Sequence, residues 1–176
     1  MTKNSTPFAV ALLLVAGLHS TASAQVTDSQ TFTVNVPTNI SISAPVDLAL
    51  THDETDANQS FPIQTWSVIG NTVGGVTVSL AVDQPFTHTV DPTYKRDVQL
   101  GLALNSTSGP GTWTISQASD ITDYGANDLA ATVGAASNGT GSATFDLSVS
   151  FITDTYGSFA AGTYETTVVG TVTANN

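Results

Sequence analysis

The sequence predicts an all-β protein, an antiparallel β-sandwich of about eight to ten strands in a single domain. Three observations carry that prediction. Apolar residues alternate with Thr and Ser in run after run, the pattern of a sheet with one face buried. The runs are short, and clusters of Gly, Pro, Asn and Ser separate them, as in residues 105–111 (NSTSGPG) and 137–141 (SNGTG), which is turn chemistry. No long stretch holds a 3.6-residue period. A small barrel shares this signature, and the two-sheet sandwich is the favoured solution.

The elements follow in chain order. Residues 1–24 read as a secretory leader. Lys3 gives a short basic start, and residues 8–18 form an apolar run too short for about 30 Å of hydrocarbon. Ala22-Ser23-Ala24 places small residues for cleavage before Gln25. An uncleaved anchor helix is the alternative, and that cleavage site opposes it. The domain is then residues 25–176, with no further apolar run of membrane-spanning length.

Short alternating runs predict strands at residues 31–36 (TFTVNV), 39–43 (NISIS), 46–51 (VDLALT) and 63–69 (IQTWSVI). Residues 75–82 set Val76, Val78, Leu80 and Val82 on one face. Residues 98–104 do the same with Val98, Leu100, Leu102 and Leu104. A shorter run covers 112–116, and residues 143–151 alternate Phe145, Leu147, Val149 and Phe151 against polar neighbours. The last strand is read over 163–173, with Tyr164, Thr166, Val168, Gly170 and Val172 on one side. Residues 128–136 (DLAATVGAA) are the one helix candidate, opposed by Val133 and Gly134. Trp66 and Trp113 fall in strand patterns and are read as core.

Composition narrows the function. The chain holds 3 Lys and Arg against 14 Asp and Glu, and no cysteine. Once the leader is gone, Lys95 and Arg96 are the only cations, which opposes nucleic-acid binding. Without cysteine there are no disulfides, thiolate nucleophiles or zinc–cysteine sites. No Gly-x-Ser-x-Gly elbow occurs, and His52 and His88 lie in polar segments and are read as surface residues. The expectation is therefore that the protein is not an enzyme.

Two acidic runs are candidate calcium sites, because calcium takes hard oxygen ligands from flexible loops. One carries Asp53, Glu54 and Asp56, the other Asp120, Asp123 and Asp128, and neither has EF-hand spacing. Solvated turns are the competing reading of both. Lys95 and Arg96 are read as a loop ion-pair cluster, or as a device that meets an acidic loop on a neighbouring copy. Phe32, Val34 and Val36 alternate in an N-terminal extension able to add a strand to another sheet. A first strand of its own domain is the alternative for that segment.

The run Phe159-Ala160-Ala161-Gly162-Thr163-Tyr164, leading into Val168, Val169 and Val172, resembles the closing strand of bacterial fimbrial subunits and of spore coat protein U-type secreted domains. There a Pro/Ala-Ala-Gly-x-Tyr turn opens a final alternating strand. The likeness covers about 15 residues, and the chain departs from those families in lacking cysteines. It implies an immunoglobulin-like sandwich and a structural role in a surface fibre or coat. The leading expectation is thus a secreted, cell-surface (or periplasmic) structural subunit that associates with itself or with other surface proteins. The alternative is an extracellular carbohydrate-binding or adhesion module, calcium-stabilised, with Tyr124 or Tyr156 as its exposed aromatic.

Overall fold

The computed structural model describes residues 25–175. The leader expected over 1–24 lies outside them. The chain divides into one unit ending at Asn35 and a second over Val36–Asn176, and the strands all belong to the second. Among the described residues there are thirteen strands and no helix, so the all-β expectation holds.

The larger sheet contains β1 (Ile40–Ser43), β3 (Gln64–Gly70), β11 (Gly141–Phe151), β7 (Val98–Ser108) and β9 (Ser119–Ile121), in that order, with β2 (Gln59–Ser60) also pairing β11. The second sheet runs β13 (Val169–Ala174), β4 (Val76–Val82), β10 (Ala131–Ser137), β8 (Trp113–Gln117). A small third sheet joins β12 (Tyr164–Glu165), β5 (Phe86–His88) and β6 (Lys95–Arg96). All pairings are antiparallel.

Inward faces of the two main sheets share one apolar core. The alternating sets read from sequence supply it: Val76, Val78, Leu80 and Val82 from β4, Val98, Leu100 and Leu102 from β7, and Phe145, Leu147, Val149 and Phe151 from β11. Leu104, at the far end of the β7 set, is exposed. Trp113 on β8 meets Phe145 on β11 edge to face, with ring centroids 5.6 Å apart, and so ties one sheet to the other.

Several boundaries differ from the sequence reading. Residues 31–36 and 46–51 form no strand. The second of these follows Pro45, which has no N–H for a ladder. β7 continues through Ser108 rather than turning at Asn105, because a bulge opposite Thr144 and Phe145 absorbs one extra residue. Asn105, the absorbed residue, turns its amide to both oxygens of Asp146 at 2.8 and 2.9 Å. The helix candidate is instead strand β10, held centrally between β4 and β8. Its small side chains suit that place, since the backbone oxygen of Val78 lies 3.0 Å from where a Cβ on Gly134 would sit. The final run breaks into β12 and β13, and its inward alternation nevertheless persists from Tyr164 to Val172.

Candidate functional site

The apolar stripes do not stop at the strand ends. Two residues before Val98 on the same face stands Arg96; two after Phe151 stands Thr153; two after Phe86 stands His88. All three are buried. At this end of the sandwich the core is therefore closed by a polar layer, and the acidic loops lie around it.

Arg96 is 6 % exposed, not part of an exposed loop cluster. Its Nη1 donates to the Tyr124 hydroxyl at 3.2 Å, and Nη2 donates to Ser158 Oγ at 2.5 Å. The guanidinium lies 4.4 Å from the centre of the Phe159 ring, a cation–π contact. Neither Lys95 nor Arg96 makes a salt bridge among the described residues, so the expected ion-pair cluster does not form. Arg96 instead fastens the loop before β12 to the one before β10. Its Nε has no hydrogen-bond partner.

His88 is likewise buried rather than a surface residue. Its Nδ1 accepts the N–H groups of Val90 at 3.2 Å and Asp91 at 2.9 Å, and Nε2 faces the Ala161 carbonyl at 3.3 Å. Those two acceptor bonds assign the ring proton to Nε2. His52 is built the same way. Nδ1 accepts from Glu54 N–H at 3.0 Å, and Nε2 lies 2.9 Å from Thr153 Oγ1. A threonine on a histidine suggests a nucleophile and its base. Here the proton is on Nε2, so His52 donates to Thr153, which in turn donates to the Ala57 carbonyl at 2.8 Å. The chain of bonds pins the loop and leaves Thr153 unactivated.

The candidate calcium ligands are spread over several structures. Asp53 accepts from Thr55 N–H and hydroxyl and from Gln59. Glu54 takes a left-handed turn position with φ 63°. Asp56 accepts the Tyr156 N–H at 2.7 Å. Asp120 belongs to β9 and caps Thr132 N–H at 2.7 Å, while Asp123 and Asp128 face each other across a backbone bridge. Among the described residues no three His, Cys, Asp or Glu side chains converge to hold a metal ion. Tyr124 and Tyr156 are exposed beside these loops.

Hydrogen bonds hold three surface carboxyls below their ordinary range. Thr55 does so for Asp53, Thr93 for Asp91, and Asn105 with Thr65 for Asp146. A folded-state pKa below the unfolded one gives stability that is complete above the unfolded value near 3.8, and it is lost as pH falls through the folded value. Acidification from pH 5 to pH 2 is therefore expected to lower the melting temperature steadily. Asp146→Asn should flatten part of that fall, and an unchanged profile would show that its bonds to Asn105 and Thr65 carry none of it.

Phe32, Val34 and Val36 are 83, 85 and 74 % exposed in a segment with no strand of its own. The outer strands of the two main sheets are β1, β9, β13 and β8. Only β9 among them carries a charged residue, Asp120, and none has Pro or Lys. No protein-family model matches the chain, and no curated protein matches it.

Proposed function

We propose that this protein is a secreted, non-enzymatic structural subunit of a bacterial cell-surface fibre, coat or layer, acting by sheet-edge self-association. One observation carries the reading. Residues 31–36 hold an exposed apolar alternation with no strand partner among the described residues, on a molecule whose outer strands β1 and β13 carry no charge, proline or bulge. Soluble sheet proteins usually protect edges with Lys, Pro or bulges, because a bare edge templates pairing with another chain. An arm of alternating Phe32, Val34 and Val36 is the kind of segment such an edge accepts.

The turn that carries the fimbrial and coat-protein resemblance adds support. Gly162 has φ 150°, and the Tyr164 hydroxyl donates back to the Ala160 carbonyl at 2.9 Å. A tyrosine bonding upstream in this way is the corner device of immunoglobulin-like sandwiches.

The test is light scattering on the chain beginning at Gln25 beside one lacking residues 25–36. The long form should build large assemblies and the short form should stay monomeric. If both are monomers of equal melting temperature, the structural reading fails. The binding-module reading, resting on exposed Tyr124 and Tyr156, then takes its place.

A further inference from the structure

The two ends of the sandwich differ in charge. Connections at one end, residues 44–58, 83–85, 89–94, 122–130 and 152–163, contain most of the 14 carboxylates. Those at the other end, residues 37–39, 71–75, 109–112 and 138–140, contain no Asp, Glu, Lys or Arg. Strand register puts these four segments together, since Ile40 and Gly141 both pair with Gly70, and Ser137 pairs with Trp113.

The N-terminal arm leaves from this uncharged end. Asn71 fixes its point of exit: Oδ1 accepts Asn39 N–H at 2.6 Å, Nδ2 donates to the Pro37 carbonyl at 2.9 Å, and its own N–H donates to the Asn39 carbonyl at 3.2 Å. The surface beside that exit is preformed. A Cβ on Gly111 would lie 2.5 Å from the Gly139 carbonyl oxygen, so the two turns are in backbone contact. On the neighbouring turn, closed by Gly75 N–H to Thr72 O at 3.0 Å, Val73 is 92 % exposed. Turn positions normally carry polar residues, and this one presents an isopropyl group to solvent.

We propose that this uncharged end, with Val73 on it, is the face each copy turns to the next copy of this chain. The inference rests on the self-association proposed above and names its contact surface. Charge selects the end. Two acidic ends in contact would face each other within the roughly 8 Å over which physiological salt screens charge. Lys95 and Arg96 are the only Lys and Arg among the described residues, and Arg96 is buried beneath Phe159 and Tyr124. The turns of the other end carry no charged side chain to repel another copy, and they have little ordering to undergo on contact.

Val73 and Val90 make a matched test, because both are exposed turn valines and Val90 lies at the acidic end. The chain beginning at Gln25 is compared with its Val73→Asp and Val90→Asp variants by sedimentation across a concentration series. Val73→Asp should raise the concentration needed for assembly by about tenfold or more, as a charge at a contact does. Val90→Asp should leave it unchanged, and both should melt with the parent. Equal assembly of all three, or equal impairment of both variants, overturns the proposal. If removing residues 25–36 abolishes assembly while Val73→Asp does not impair it, the arm reading stands and this face is wrong. A parent chain that never assembles overturns both.

Discussion

Phe145→Ala is expected to cost about 3–5 kcal/mol of folding stability, the range for deleting a buried aromatic ring. Phe145 is fully buried at the centre of β11 and bears on Trp113 across the sandwich. Its removal opens a cavity between two sheets whose backbones are fixed by their own ladders, so little collapse can fill it. Urea unfolding should show an earlier midpoint with an unchanged slope. A loss below about 1 kcal/mol would mean that the sheets are not joined through this contact.

Gly162→Ala should cost about 3 kcal/mol, because φ of 150° lies where only glycine is comfortable. A Cβ there would also collide with the His88 ring. That ring caps Val90 and Asp91 through Nδ1, so displacing it frees two backbone donors. The two causes are separable. In a His88→Ala background the collision is gone and only backbone strain is left, so Gly162→Ala should cost measurably less there. Equal costs in the two backgrounds would contradict the packing argument. The turn's Gly and Tyr thus have structural reasons that hold without any relative: one clears a histidine, and the other bonds back to Ala160.

The core was legible because its residues alternate in polarity along β4, β7 and β11, and two-residue periodicity is a local property. The same signal misled at residues 31–36 and 46–51, since alternation describes a face and a strand also needs a backbone partner. β10 was obscured for the opposite reason. It is a central strand buried along most of its length, so Ala131, Val133, Gly134 and Ala135 show no alternation to read. Strands of two or three residues, such as β2, β5, β6 and β9, are too short to carry a pattern.

The polar layer around Arg96 was within reach of the sequence. Extending each apolar stripe by two positions reaches Arg96 from Val98, Thr153 from Phe151 and His88 from Phe86. Charge on Arg96 and polarity around the histidines argued for the surface instead. Burial won because Phe159, Tyr124 and Ser158 arrive from distant segments to receive the guanidinium. The turn roles of Asp53 and Asp91 were local and readable, each having a Thr two residues on that donates to it.

The central claim is that residues 31–36 are a strand awaiting a sheet in another copy. Amide hydrogen exchange on the chain beginning at Gln25, in dilute monomer and in assembled material, addresses it directly. The account predicts that the Phe32, Val34 and Val36 region exchanges like free peptide in the monomer and becomes protected on assembly. Protection already present in the monomer, or exchange that stays fast in the assembly, would contradict it.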